Sequence, residues 1–371
     1  MTWFDWADEQ SRAIRAADRW RAPRDFDAAG PEGKLAPDGR PVVSYASNDY
    51  LGLTQHPAVV AAAGAALERW GAGSGSARLI VGSRPVHAEL EAALADWRRS
   101  ERAVLFPTGF ATNLGVITTF GGPGVLVCSD ELNHASIIDG CRLSRARVDV
   151  YAHRDLDHLD HLLSAGAPDE RRVVVTDTVF SMDGDVAPVD ALIDLCARHR
   201  ALLVLDEAHA VLGPDPDLAR VPDLAVLRVG TLSKTLGALG GFVAGPAALT
   251  DLIVNRARSY IFTTAPTPAD AAAAVAAVGV VRSAEGEALR SRLRAAVDRL
   301  RPGHPSPIVP LVLGDEGRTL AAANALLEQG MLVPAIRPPT VPPGTSRLRV
   351  ALSAAHTDAQ IDALAGALAA L

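Results

Sequence analysis

Lysine is nearly missing from this chain. Of 36 basic residues only Lys34 and Lys234 are lysines, so a lysine in a special setting is informative. A basic surplus is missing too. The formal net charge is −7 and no basic run is long enough to track phosphates, which argues against nucleic-acid binding. Cysteine is scarce. Cys128, Cys141 and Cys196 have no paired or metal-like spacing, and an odd count fits a reducing compartment better than a disulfide-built fold. No metal site is expected. The most apolar run, Ala271 to Val281, is too short to span a membrane and reads as a buried helix. The segment Met1-Thr-Trp-Phe-Asp-Trp6 carries acids where a signal peptide needs a basic and then an apolar stretch, so a cytoplasmic protein is expected. Aromatics are only 5% of the chain, while nearly half of it is apolar and alanine-rich, enough for a large core of closely packed helices.

What is there centres on Val229-Gly-Thr-Leu-Ser-Lys-Thr-Leu-Gly-Ala-Leu-Gly-Gly241. Lys234 sits among small and hydroxylated residues after the apolar run Leu224 to Val229. Desolvation would lower the pKa of such a lysine and make its neutral amine a nucleophile able to form a Schiff base. A buried lysine paired with a carboxylate at a tight turn fits the stretch equally well. Thr231 and Ser233 could hold an anion nearby.

Along the chain, residues 1–43 read as an N-terminal arm, with a helix over Asp8–Arg21 and a loop over Ala28–Arg40. A large domain is expected over 44–285 and a small α+β domain over 286–371. Helices are expected at His56–Trp70, Pro85–Trp97 and Leu249–Tyr260. Seven short apolar strands are expected at Ala103–Phe106, Val125–Cys128, Val148–Tyr151, Val173–Thr176, Leu202–Leu205, Val226–Val229 and Phe242–Ala244. Near-continuous apolar strands alternating with helices mean an α/β fold, with a mostly parallel seven-stranded sheet buried on both faces. Ligands bind beyond the carboxyl ends of such strands. The polar clusters found there are Thr108–Asn113, Ser129–His134, Asp177–Ser181, Asp206–His209 and Thr231–Lys234, and they should converge on one edge.

Each cluster suggests chemistry. Asp206 ends a buried strand and needs a cationic or hydrogen-bonding partner, for which a pyridinium nitrogen or an arginine would serve. His209 could reach the same ligand. Gly109 opens a helix, a natural phosphate seat, and Phe110 could pack on a flat ring. Asp206-Glu-Ala-His209 also spells a helicase signature, but the phosphate loop that reading requires is absent. His153, His158 and His161 read as a solvated helix face.

Taken in order, Ser47-Asn-Asp-Tyr-Leu-Gly-Leu53, Thr108-Gly-Phe-Ala-Thr-Asn113, Asn133-His-Ala-Ser136, Asp206-Glu-Ala-His209, Thr231-Leu-Ser-Lys234 and Ser346-Arg-Leu-Arg349 resemble the α-oxoamine synthases. These are pyridoxal-phosphate enzymes of fold type I, the aspartate-aminotransferase fold. The resemblance runs from about Ser44 to His356. It implies pyridoxal 5'-phosphate held on Lys234, with Asp206 at the ring nitrogen, His209 near the ring hydroxyl, His134 stacked on the ring and Ser181 beside it. Gly109, Phe110 and Thr231 match the phosphate region. Thr263 and Thr264 resemble residues lent to a neighbouring subunit's phosphate site, implying a homodimer. Arg349 matches the arginine that holds the amino-acid carboxylate, with Ser353 close behind it and Asn48 among the substrate contacts. Arg21 resembles an arginine meeting the far end of the acyl chain, with Arg24 as competitor. The implied reaction condenses L-alanine with an acyl thioester of coenzyme A or an acyl carrier protein, with loss of carbon dioxide. Glycine C-acetyltransferase, 5-aminolevulinate synthase and serine palmitoyltransferase are the alternatives within the family. One departure stands out: the loop Ala210–Asp217 is shorter and poorer in glycine than the family pattern.

Overall fold

The computed structural model describes residues 1–17, 19–167 and 169–371. The chain divides into two units. One is Asp49–Ser181 with Asp185–Arg292; the other is Met1–Asn48 with Met182–Gly184 and Leu293–Leu371. Most of the N-terminal segment thus shares a unit with the C-terminal one.

The larger unit is built on a seven-stranded sheet. Its spatial order is Arg102–Phe106, Gly241–Gly245, Val226–Thr231, Leu202–Asp206, Arg171–Asp177, Val125–Asp130 and Arg147–Tyr151. All seven expected strands are present, each slightly longer than its apolar run. Only Gly241–Gly245 runs against its neighbours. The strand residues are mostly buried except in the edge strand Arg147–Tyr151, where only Tyr151 is, and two apolar clusters cover the two faces. One is packed around Val116, Ile117, Ile137 and Ile253, the other around Leu159, Leu192, Ile193 and Cys196. All three cysteines are buried, and burial pushes Cys128 up to about 12 and Cys141 up to about 11. Such thiols are core side chains, with little thiolate to react.

Helices begin where the sequence supplies caps. His56 caps Pro57–Trp70 with proline in its first turn, and Thr108 caps Gly109–Phe120 through Ala111 N at 3.0 Å. The expected helix Leu249–Tyr260 is instead two, Ala247–Arg256 and Arg258–Ile261, broken at Ala257, whose backbone is extended.

In the smaller unit the first helix spans Trp3–Ala16, earlier than expected. Thr2 and Asp5 form a reciprocal capping box that fixes its start. Asp18, inside the expected helix, lies outside the described residues. Ala28–Arg40 is not simply a loop. Phe26–Ala28, Glu32–Leu35 and Arg40–Ser44 form an antiparallel meander extended by Met331–Leu332. A second sheet of Ile308–Gly314, Ser346–Ala351 and Ala335–Ile336 carries Arg349 on its central strand.

Candidate active site

Beyond the carboxyl ends of the central strands lies a cleft of about 170 Å³. It is lined by Thr108, Gly109, Phe110, Asn113, His134, Ser136, Asp177, Ser181, Asp206, His209, Thr231, Ser233 and Lys234. All five sequence clusters meet there.

Asp206 ends strand Leu202–Asp206 and is buried. Its Oδ2 accepts Asn113 Nδ2 at 2.7 Å and its Oδ1 accepts the Ala208 amide at 2.9 Å. No arginine pairs with it among the described residues, so the salt-bridge alternative fails. Asp177, its register partner on the next strand, is also buried. Burial, and then the charge of Asp206 beside it, raise the Asp177 pKa well above the ordinary value. Two adjoining carboxylates without a paired arginine make a site that favours a cation.

Lys234 follows strand Val226–Thr231 and is half-buried at the cleft, less enclosed than its apolar run suggests. Thr231 Oγ1 lies 2.7 Å from Ser233 Oγ and donates to Gly240 O at 3.0 Å. Helix Gly109–Phe120 points its first amides toward the same end. Gly241 packs against them so closely that a Cβ there would lie 2.6 Å from Gly109 N. A helix N-terminus with two hydroxyls beside it suits a phosphate.

His134 caps helix Ala135–Ser144, its Nδ1 accepting Ser136 N at 3.2 Å. The ring opens onto the cleft, and Phe110 meets it edge-on at 6.4 Å. Desolvation by the cleft walls dominates and keeps its pKa below the usual value; Asp206 opposes this and Lys234 adds to it. His209 Nδ1 lies 2.6 Å from Tyr50 Oη. The residues present therefore fit pyridoxal phosphate. A buried carboxylate waits for a ring nitrogen, the helix terminus suits the phosphate, and Asn113 Oδ1 is buried without a protein partner.

The other expected site residues are not among this lining. Thr263 and Thr264 are outside it, Thr264 exposed and bridged to Ala77. Arg21, Asn48, Arg349 and Ser353 belong to the smaller unit. There Arg349 is buried and its Nη2 donates to Asn48 Oδ1 at 3.1 Å. Arg21 is exposed and reaches Pro338 O at 3.4 Å. Ser353 N donates to His356 Nδ1 at 2.9 Å. Glu207 turns away from the cleft to accept Arg228 Nε at 2.7 Å, and Arg228 Nη2 also holds Asp215 at 2.9 Å. Arg228 thereby ties down the loop Ala210–Asp217.

Sequence reasoning gave no role to Tyr50, Asn113, Ser136 or Asp177. Asn113 lies four residues after Gly109 on one helix face, a spacing that could have flagged it. His153 was misjudged. It is no solvated helix residue, since it bridges Asp130 at 2.9 Å and Asp185 at 2.7 Å ahead of helix Leu156–Ser164.

Comparisons agree with this geometry. The family model for aminotransferases of class I and II matches residues 40–368. An 8-amino-7-oxononanoate synthase of Anaeromyxobacter dehalogenans is 48% identical over 99% of this chain and 96% of its own. One from Anaeromyxobacter sp. strain Fw109-5 is 49% identical over 98% and 95%. A solved serine palmitoyltransferase from S. paucimobilis with a bound PLP–myriocin aldimine is 30% identical, with a TM-score of 0.90 over 99% of this chain and 96% of that one. The chain belongs to the class I and II aminotransferase family, among its α-oxoamine synthases.

Proposed function

We propose that this protein condenses L-alanine with a pimeloyl thioester to give 8-amino-7-oxononanoate, carbon dioxide and free thiol, a step of biotin biosynthesis. The observation that carries the chemistry is Asp206 and Lys234 facing one cleft with a phosphate-type helix terminus. The choice of substrates is supported by the relatives named 8-amino-7-oxononanoate synthase, similar over nearly the whole chain; glycine C-acetyltransferase is not favoured.

When bound, pyridoxal phosphate supplies an electron sink for the pair left at the amino acid's Cα. The residues do the rest. Asp206 would keep the cofactor's ring nitrogen protonated, with Asn113 and the Ala208 amide holding the carboxylate in place. Lys234 takes the Cα proton. His134 and Phe110 would confine the cofactor's ring, and His209, with Tyr50, and Ser181 would hold it from the side. Gly109, Thr231 and Ser233 would bind the phosphate, joined by Thr263 and Thr264 of a second copy in a homodimer. Arg349, with Asn48 and Ser353, takes the alanine carboxylate, and Arg21 the far carboxylate of the acyl chain. A bond would form from Cα to the acyl carbonyl carbon as the thiol leaves, the amino acid's carboxylate would depart as carbon dioxide, and a proton would return to Cα. The thiol carrier is coenzyme A or an acyl carrier protein, and the site of action is the cytoplasm.

The test is thiol release across a panel of acyl thioesters and small amino acids. Pimeloyl thioester with L-alanine should give the highest kcat/KM. A clear preference for acetyl thioester and glycine would refute the assignment.

A further inference from the structure

A chain of polar side chains behind the cleft joins Asp206 to His134, and each link has only one sensible direction. Asp206 accepts from the Ala208 amide and faces Asn113 at 2.7 Å. A carboxylate only accepts, so the Asn113 amide must present its NH₂ to it; the opposite orientation would set oxygen against oxygen. The second Nδ2 proton goes to Ser136 Oγ at 2.9 Å. His134 Nδ1 lies 2.7 Å from the serine hydroxyl and, because the Ser136 amide makes that nitrogen an acceptor, the hydroxyl donates its one proton to it. The Ser136 amide donates to the same nitrogen at 3.2 Å. Both middle residues are buried: Asn113 is 1% exposed and Ser136 is fully buried. The turn itself is pinned. Asn133 Nδ2 donates to Val175 O at 2.8 Å, Asp177 N to Asn133 Oδ1 at 2.9 Å, and His134 N to Asp177 Oδ2 at 3.0 Å.

We propose that Asn113 and Ser136 are positioning residues that fix His134 as a neutral imidazole with its proton on Nε2. The Nδ1 lone pair is occupied twice, and it lies at a helix N-terminus, where a proton on that atom would face the positive end of the dipole. The side left open to the cleft then carries a hydrogen-bond donor. Asp206 sets the sense of the relay, and Asp177 fixes the backbone that carries the ring. Asp206, Asp177 and Lys234 are the charged groups facing it. The inference deepens the proposed function, because it specifies which hydrogen-bonding face His134 shows to cofactor and substrate.

The test reads the ring directly in the holoenzyme. Long-range proton–nitrogen correlation of ¹⁵N-histidine-labelled protein at neutral pH distinguishes the tautomers, with the His134 signals assigned by their loss in H134Q. The expected wild-type pattern is an unprotonated Nδ1 and a protonated Nε2. S136A should move both shifts toward a tautomer mixture, and S136T, which keeps the hydroxyl, should restore the wild-type pattern. N113L should produce a smaller shift in the same direction as S136A. A wild-type ring protonated on Nδ1 would overturn the proposal, as would folded S136A with unchanged shifts. Should S136A fail to fold, the wild-type pattern and N113L decide. The readout needs no thioester, so an unexpected acyl preference would sink the proposed reaction and leave this result standing.

Discussion

Replacing His153 tests an ion pair that the sequence concealed. His153 Nδ1 meets Asp130 and Nε2 meets Asp185, Arg154 reaches Asp185 at 3.2 Å, and Phe180 packs edge-on against the ring at 4.3 Å. Burial alone would lower this histidine's pKa. The hydrogen bonds and charges of the two carboxylates outweigh burial and raise it from 6.5 to about 9. Burial likewise pushes Asp185 up, but His153 and Arg154 outweigh it and hold its pKa below the ordinary value. Both shifts describe one interaction and are counted once. At about 1.4 kcal/mol per pH unit the histidine shift corresponds to about 3 kcal/mol. Solvent reaches the imidazole, with 20% of the side chain exposed, and trims this to about 1–2 kcal/mol.

The sign follows from the raised folded pKa. The stabilisation is fully present below pH 6.5, falls as the pH rises toward 9, and is gone above it. Urea unfolding of wild type and H153Q should therefore show a gap that narrows by about 1–2 kcal/mol between pH 6 and pH 9.5. A constant part, from lost packing on Phe180, should remain at every pH. Direct titration of the His153 ring by NMR should give a midpoint near 9. A gap independent of pH, or a midpoint near 6.5, would refute the reasoning.

Lys234→Ala should abolish thiol release and the visible absorbance of the holoenzyme; near-normal turnover would show that another group removes the proton. Asp206→Asn should cost several orders of magnitude in turnover with the circular dichroism unchanged, and a mild loss would mean that its charge is not used at the ring. Arg349→Lys should raise the KM for alanine about ten- to a hundredfold, the worth of a charged hydrogen bond, while acyl-thioester KM stays put. Gly241→Ala should weaken pyridoxal-phosphate binding, read by equilibrium dialysis, because the new Cβ collides with Gly109 N and Thr112 Oγ1.

The sheet was legible because its strands are apolar on both faces, and a continuous run such as Val173–Val175 has no other stable home than a doubly covered sheet. The cleft was legible for the same reason: once the strands were placed, the polar residues after them had to share an edge. What escaped was decided by partners distant in sequence. Glu32-Gly-Lys-Leu35 has no strand-like apolar pattern; it is a strand because Arg40–Ser44 pairs with it and Met331–Leu332 extends the sheet from the far end of the chain. His153 sits 23 residues from Asp130 and 32 from Asp185, so local charge pattern suggested a solvated face.

Asn113 shows where the boundary lies. Its place in Thr108-Gly-Phe-Ala-Thr-Asn113 put it near the cofactor, yet nothing local distinguishes a cleft contact from a core amide. Its meaning comes from strand order. The helix Gly109–Phe120 that carries it brings its amide to the end of Leu202–Asp206, and Ser136 reaches it from the helix that His134 caps. Three segments far apart in sequence thus make one directed hydrogen-bond path. A carboxylate at one end and a helix N-terminus at the other leave its polarity no freedom. Sequence can supply the ends of such a path, because Asp206 and His134 are chemically conspicuous. Its middle consists of ordinary amides and hydroxyls whose role exists only once the fold has oriented them.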